Sequence, residues 1–404
     1  MGALEDIIYY NILPRLPAKS LLRFKCVSKV WYDLINSSGF INMQHKRTLV
    51  SPTSDDTILV VPGVFNVSSY TYFDATQPTN NRKLLPHAPA PAIIVGCCNG
   101  LICLRFERGC LGLCDPLNNW GDCRIIPPRI DIITSNSTES HGYGFGYDDV
   151  SRVYKIVNIE TSYMGYTRAS KVYVLSSGIG SWQEVWGVPT HTAAFGASVS
   201  TNNKLHWILR CIPDHDHNHG DCYIVTLDLH TEVFGKMSIP SSKENYPWTG
   251  CDMIVSSGLL YLHMPNNKDG RVDSIAEIWV MKEYGVADSW TKLHNYAPGA
   301  FRYRGWQIWL IDFKLGRVLL ANYFHTVRTT VEPFWYNLQD SSTTKVDVPH
   351  IRRIREGKPW VCVSSLISTP HLQSFTSFTL GMRECPKEFF HYDVIQARID
   401  DLKL

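Results

Sequence analysis

Two periodicities divide the chain. Up to Arg47 apolar residues fall at helical spacing: Ile7, Ile8, Ile12 and Leu13 form a short stripe ending before Pro14. Leu21, Leu22, Phe24 and Val27 form a second stripe, interrupted by Lys19, Arg23 and Lys25. Pro17 suits the opening of that second helix, where a missing N–H costs nothing. Ser28 predicts the N-cap of a third helix through Val30, Trp31, Leu34 and Ile35, and Asn36-Ser37-Ser38-Gly39 its stop, with glycine as the terminating signal. After the polar stretch Ser51 to Asp56 the pattern changes. Short runs rich in Val, Ile, Tyr, Phe and Trp, bounded by Gly, Asn, Asp, Ser and Pro, predict many small antiparallel strands.

These strands repeat a grammar of two hairpins per unit. The first hairpins are Ile93 to Leu104 turning at Asn99-Gly100, Tyr143 to Val157 at Asp148-Asp149, and Phe195 to Leu209 at Asn202-Asn203. Met253 to His263 turns at Ser256-Ser257-Gly258, and Trp306 to Ala321 near Gly316. Second hairpins follow at Leu111 to Pro127, Val172 to Pro189, Tyr223 to Pro240, Glu277 to Leu293 and Phe334 to Pro349. Trp182 and Trp290 recur at equivalent places, where each tryptophan can pack on the neighbouring unit. A four-stranded sheet repeated radially is a β-propeller blade. Five units fill Ile93 to Pro349, and the leftover segments, Thr57 to Phe73 with Val361 to Ile367 and Phe389 to Ile395, predict a sixth blade joined from both ends. Seven blades is the competing count.

Three short helices within about fifty residues cannot bury enough apolar surface to stand alone, so a partner is expected. The run Leu16 to Phe40, LPAKSLLRFKCVSKVWYDLINSSGF, resembles the F-box, with Lys19-Ser20-Leu21-Leu22-Arg23-Phe24, Cys26-Val27-Ser28-Lys29 and Trp31 in its plant form. Where the family opens with Leu-Pro, Leu4 here is followed by Glu5. The resemblance implies docking onto the Skp-type linker of a cullin–RING ubiquitin ligase through Ile12, Leu13, Leu16, Pro17, Leu21, Leu22, Phe24, Val27 and Trp31. The β region is similar to the F-box-associated domain of plant F-box proteins. The shared stretches are Cys98-Asn99-Gly100-Leu101-Ile102-Cys103, Gly142 to Asp148, Tyr154-Lys155-Ile156-Val157, Leu205-His206-Trp207, Asp228 to Phe234 and Glu277 to Gly285 with Ser289-Trp290. S-locus F-box proteins of pollen and relatives that turn over immune receptors share this framework. The implied fold is a small α-helical F-box (1–47), a linker (48–56), a large all-β propeller (57–396) and a tail (397–404). The implied function is a non-catalytic adaptor that holds a protein target for ubiquitin transfer, possessing no cofactor.

Composition narrows the alternatives. Across 404 residues, 44% hydrophobic and 19% charged content fits a globular protein, and a net charge of +2 argues against phosphate-dominated nucleic-acid binding. Neither a signal peptide nor an apolar run of membrane-spanning length is seen, so the expected location is cytoplasmic or nuclear, with no membrane partner. In that reducing setting the twelve cysteines are expected to be free, and Cys97, Cys98, Cys103, Cys110, Cys114 and Cys123 contain no CxxC pair to suggest zinc. The sequons at Asn66 and Asn136 are expected to stay unmodified. Asp214-His215-Asp216-His217-Asn218-His219-Gly220-Asp221 has metal-like alternation, yet it joins two predicted strands and reads as a solvated connection. Ser176, Ser256 and Ser364 lack a nucleophile-elbow context, and Arg352, Arg353, Arg355 and Lys358 read as a solvated basic run. A carbohydrate-binding propeller and a propeller enzyme are the competing classes. Target contact is expected at Thr76 to Ala90, Ile130 to His141, Ile212 to Asp221, Ser241 to Thr249 and Asn266 to Asp273.

Overall fold

The computed structural model describes residues 6–16, 18–37, 39–41, 43, 44 and 47 of the helical part. In the β part it describes 57–62, 70–74, 83–84, 92–106, 110–114, 124–126, 139–164, 167–177, 179–187, 192–193 and 198–211. It continues with 222–240, 251–256, 258–266, 275–296, 306–312, 316–324, 330–345 and 360–363.

The first helical stretch is a π-turn, Ile8–Ile12, closed by the Leu13 N–H on the Ile8 carbonyl, and it runs into a 3₁₀ turn, Leu13–Arg15. Pro14 therefore sits inside this segment, near the start of the tighter turn, where it forfeits no helical hydrogen bond. Helices Ala18–Phe24 and Lys29–Asn36 follow. Ser28 caps the second as expected, its Oγ accepting the Trp31 N–H at 3.2 Å. The stop differs from expectation. Ser37, with extended backbone (φ −66°, ψ 140°), ends the helix instead of a glycine. Its Oγ donates to the Leu34 carbonyl at 2.7 Å and accepts the Phe40 N–H at 3.3 Å, so one hydroxyl serves the end of one helix and the start of the next turn.

The five hairpin pairs read between Ile93 and Pro349 are five blades of contiguous chain, spanning 92–126, 139–185, 192–238, 252–296 and 306–345. Each is an antiparallel four-stranded sheet, except that the inner strand of the third is split into Thr192–Ala193 and Val199–Thr201, both paired with Lys204–Cys211. A further sheet joins Trp360–Val363 to Thr57–Pro62, Tyr70–Asp74 and Lys83–Leu84, in that order. The segment Phe389 to Ile395 lies outside the described residues. Along the chain, each blade's first strand lies beside the first strand of the next. Trp360–Val363 lies beside both Trp306–Asp312 and Ala92–Cys98.

Turn chemistry agrees with the spacing. Asn99 and Gly100 (φ 51° and 83°) and Asn202 and Asn203 (φ 51° and 57°) occupy the left-handed region that a two-residue hairpin turn requires. The turn expected at Asp148-Asp149 is longer. Glu139–Asp148 ends at Asp148 and Val153–Met164 begins after four intervening residues, with the Asp148 carboxylate accepting the Val150 and Ser151 N–H groups.

The first blade, with a neighbour on each side, buries both faces of its second strand. Leu101, Ile102, Cys103 and Leu104 are consecutive and all fully buried. On Glu139–Asp148 the two faces differ in size. Phe145 packs with Val95, Leu101 and Leu113 of the first blade, with Tyr143 and Tyr147 beside them. The alternate residues Gly144 and Gly146 leave room for the third blade, since a Cβ at 144 would lie 2.7 Å from Trp207 Cζ2 and one at 146 would lie 2.8 Å from Leu229 Cδ1. Trp207 then reaches across to donate its indole N–H to the Tyr143 carbonyl at 3.1 Å. The recurring tryptophans do what was expected of them. Trp182 packs on the core shared by the first two blades, and Trp290 of the fourth blade donates to the Ser238 carbonyl of the third at 3.0 Å.

Gly144→Ala forces a methyl into the indole plane, and overpacking of this kind costs about 1–3 kcal/mol. Its thermal unfolding midpoint should fall, and a Trp207→Phe background, which leaves a ring in place without the indole's second ring, should relieve part of that fall. Equal midpoints for Gly144→Ala and the parent protein would refute the close-packing account.

Candidate functional site

The helical part carries the candidate partner-binding face. Its own core is Leu13, Leu21, Ile35, Phe40 and Ile41, with Ile8, Tyr9, Leu16, Leu22, Phe24, Trp31, Leu34 and Met43 packed partly buried against it. Phe24 and Trp31 meet edge to face at 5.4 Å, and Tyr9 lies 5.9 Å from Phe40, tying the first turn to the last. Around this core Ile7, Tyr10, Ile12, Val27, Val30 and Tyr32 are exposed, Ile12 to 48%, Val27 to 63% and Val30 to 74%. So many large apolar side chains on one small unit mark a surface meant to be covered.

The nine residues expected at the linker-protein contact therefore separate. Ile12 and Val27 are open to solvent, and Leu16, Leu22, Phe24 and Trp31 are half-buried at the edge of the core. Leu13 and Leu21 are a correction: both are interior, with 1% and 0% of their surface exposed, so they shape the face without presenting to it. Pro17 lies outside the described residues. The exposed Ile7, Tyr10, Val30 and Tyr32 were not among the nine, because apolar periodicity marks a stripe but not which member the next helix covers. Val30 and Tyr32 flank Trp31 on a helix whose inward face is Leu34 and Ile35, and that spacing was the available signal.

On the propeller, a polar cluster bridges the second and third blades at the ends of their hairpins. Lys155 donates to Glu232 Oε1 at 2.6 Å and lies 4.0 Å from Asp148 Oδ2. Asn203 accepts the Asp149 N–H at 2.9 Å and donates to Asp148 Oδ1 at 3.4 Å. Burial pulls the Asp148 carboxyl up, but hydrogen bonds from Ser151, Val150 and His230 outweigh it and hold its pKa below the ordinary carboxylate value. Ser151, His230 and Asp148 superficially suggest a hydrolase triad. Both Ser151 Oγ (3.2 Å) and Asp148 Oδ2 (3.3 Å) approach the same ring nitrogen, Nδ1, whereas a relay needs the serine on one nitrogen and the carboxylate on the other. The cluster is a clamp between blades.

A second clamp joins the third and fourth blades. His206 Nδ1 lies 3.3 Å from the Val199 carbonyl and Nε2 lies 2.7 Å from the Tyr284 hydroxyl. A carbonyl only accepts, so the proton sits on Nδ1 and Nε2 accepts from Tyr284. Burial holds the neutral ring and drives the His206 pKa down to about 4. Within the fourth blade, the buried Glu277 accepts from Lys292 at 2.7 Å and from the Trp279 indole N–H at 2.9 Å, tying its two outer strands together. Burial likewise pushes the Cys103 thiol up, away from reactivity. No group of three or more metal-ligating side chains occurs among the described residues, and no helix among them is long and apolar enough to cross a membrane. The Asp214 to Asp221 run, the Arg352 to Lys358 run and nearly all of the loops expected at the target lie outside the described residues.

This architecture, a helical unit with several exposed large apolar side chains followed by repeated four-stranded blades, suits a docking module coupled to a propeller. The family described as "F-box domain" matches residues 8–42, and that described as "F-box associated beta propeller domain" matches residues 67–368. The chain belongs to the F-box proteins with an F-box-associated β-propeller. It is 29% identical over 313 residues to F-box protein CPR1 of Arabidopsis thaliana, covering 72% of this chain and 73% of that one. It is 26% identical to an F-box/kelch-repeat protein of the same plant, At3g23880, over 70% of this chain and 76% of that one. Among solved structures, a Synechocystis apocarotenoid oxygenase aligns over 76% of this chain and 74% of its own at 10% identity and a TM-score of 0.42, a likeness that assigns nothing to this chain.

The folded-state pKa of His206 lies below the ordinary value of 6.5, so its contribution to stability is full above pH 6.5 and is lost as pH falls towards 4, where only the unfolded chain takes up the proton. At about 1.4 kcal/mol per pH unit the loss approaches about 3 kcal/mol by pH 4. His206→Gln should flatten the denaturant-unfolding profile between pH 6.5 and 4.5; an unchanged slope would show that the ring takes no part.

Proposed function

We propose that the protein is the substrate-recognition subunit of a Skp–cullin–F-box ubiquitin ligase, the helical part binding a Skp-type linker protein and the propeller selecting a protein target. The observation that carries this reading is the exposed apolar set Ile7, Tyr10, Ile12, Val27, Val30 and Tyr32, around a small core whose buried apolar members among the described residues are Leu13, Leu21, Ile35, Phe40 and Ile41. Leu16, Leu22, Phe24 and Trp31, half-buried at its rim, complete the contact, and Leu13 and Leu21 hold the face in shape from within. Cullin and RING subunits join through the linker protein, and the chemistry of ubiquitin transfer belongs to them. The adaptor acts by raising the effective concentration of target beside the charged enzyme.

The helical arm is assigned to residues 1–47, the linker to 48–56, the propeller to 57–396 and a tail to 397–404. We infer that the sheet joining Trp360–Val363 to Thr57–Pro62 acts as a sixth blade that closes the ring. Its position beside the first strands of the first and fifth blades supports this, as does the removal of two exposed sheet edges. The motifs shared with S-locus F-box proteins and with relatives that turn over immune receptors supply blade cores and clamps, so they argue for the scaffold common to both. The protein's site of action is the cytoplasm or nucleus.

Substituting Ile12→Asp with Val30→Asp places charge on the exposed face without touching the interior. Co-purification with a Skp-type linker protein should drop at least tenfold while the propeller's unfolding midpoint stays unchanged. Undiminished pull-down would count decisively against the adaptor reading.

A further inference from the structure

We propose that the corner between the helices Ala18–Phe24 and Lys29–Asn36 is where the linker protein first makes contact, and that the surface it presents there is acidic. Basic side chains steer the encounter, and the valines among them hold it. This rests on the adaptor reading and adds to it the chemistry of the partner's surface.

Charge is unevenly spread along the chain. No aspartate or glutamate occurs between Ile7 and Tyr32, whereas Arg15, Lys19, Arg23, Lys25 and Lys29 all fall within that span. Residues 1–47 carry seven cations and three carboxylates, a balance of +4; the whole chain amounts to +2, so everything after Arg47 sums to −2. A net charge concentrated on one small unit acts on encounter and association rate, not on the choice of fold.

The structure gathers part of this charge at one place. Arg23 is exposed in the last turn of its helix and Lys29 in the first turn of the next, with Lys25 partly exposed on the connection. Among them stand Val27 and Val30, 63% and 74% exposed. The backbone of the corner is fixed. The Lys25, Cys26 and Val27 N–H groups donate to the carbonyls of Leu21, Arg23 and Phe24 at 3.1, 3.0 and 3.0 Å, and Ser28 caps the helix that follows. Cations and valines therefore project from set positions, and little backbone ordering is left for a partner to impose.

The fold does not need this arrangement. Lys29 is the first residue of its helix, where the dipole favours an anion, and no acidic residue occupies that first turn. Among the described residues no ion pair joins Arg23 or Lys29 to a carboxylate. An anionic lipid surface would match the charge but calls for a long apolar helix face laid in the membrane plane. These helices are seven and eight residues long, and they turn Leu21 and Ile35 inward onto the arm's own core. Single valines set among cations fit instead a protein surface with shallow apolar pockets and a carboxylate rim.

The two sets of side chains divide the kinetics, since rim charges act on arrival and are screened by salt while apolar contacts act on departure. The test uses the full chain and a purified Skp-type linker protein in stopped-flow fluorescence. Association should slow roughly tenfold between about 50 mM and about 500 mM salt, with dissociation little changed. Arg23→Glu with Lys29→Glu should slow association at low salt roughly tenfold and flatten its salt dependence, with Arg23→Gln, Lys29→Gln falling between. An unchanged dissociation rate in these variants shows that the arm is still folded. Val27→Ser with Val30→Ser should do the reverse, speeding dissociation several-fold and sparing association. A parent chain whose association ignores salt, or charge variants that alter only dissociation, would overturn the proposal. Capture of that same parent by phosphatidylserine vesicles would then assign the corner to a membrane. If the parent binds no linker protein at any salt concentration, the adaptor reading itself fails, and this proposal with it.

Discussion

Strands such as Leu101–Phe106 carry buried apolar side chains on both faces of their sheet, and a single sheet can cover neither face alone. That constraint explains the consecutive buried run Leu101 to Leu104, which in a half-solvated sheet would alternate with polar residues. It also explains the division of labour on Glu139–Asp148, where aromatic residues fill the gap to one neighbour and glycines let the other approach to contact. A blade is stable only as the middle member of a stack, so each needs a device that fixes its distance and tilt to the next. The indole N–H groups of Trp207 and Trp290, each donating to a carbonyl of the preceding blade, are such devices, and they act at different depths of the sheets: Trp207 on the second strand from the inside, Trp290 on the outermost one.

The helical arm obeys the same rule with a different solution. A core as small as Leu13, Leu21, Ile35, Phe40 and Ile41 offsets little of the ordering of some forty residues. Its local geometry is accordingly over-determined by short-range polar contacts. Ser28 fixes the entry to one helix, and Ser37 links its exit to the next turn through two bonds to one hydroxyl. Such capping holds the exposed apolar residues in a preset arrangement, so that less ordering remains to be done when a partner covers them.

Much of this was legible in the residues. Asn99-Gly100 and Asn202-Asn203 announce hairpins because few other pairs tolerate two positive φ values, and Ser28 announces a cap because its oxygen accepts what the helix leaves unpaired. Trp182 and Trp290 were readable as inter-blade contacts because a large side chain recurring at an outer strand has only a neighbour to pack on. The interior placement of Leu13 and Leu21 was not readable, since periodicity reports that a residue is apolar and not which surface covers it. Nor was the termination at Ser37, where a glycine two residues later gave the more familiar signal. His206 and Tyr284, seventy-eight residues apart, meet only once two blades are stacked, and no local pattern foretells that.

Stiffness is what ties these parts to the work of an adaptor. Two bodies held by one chain meet productively only if the piece between them does not absorb the motion, because effective concentration falls with every soft joint. The polar clamps lie where the blades would otherwise slide. Lys155 and Glu232 at 2.6 Å, backed by Asp148, lock the second blade to the third, and His206 with Tyr284 locks the third to the fourth. A buried ion pair adds little net stability over an apolar one of equal size, yet its bonds are directional and so set a unique register between sheets. The ring thus spends polar groups in its interior on orientation rather than on strength. That choice suits a scaffold required to hold its two sides at a constant distance and angle.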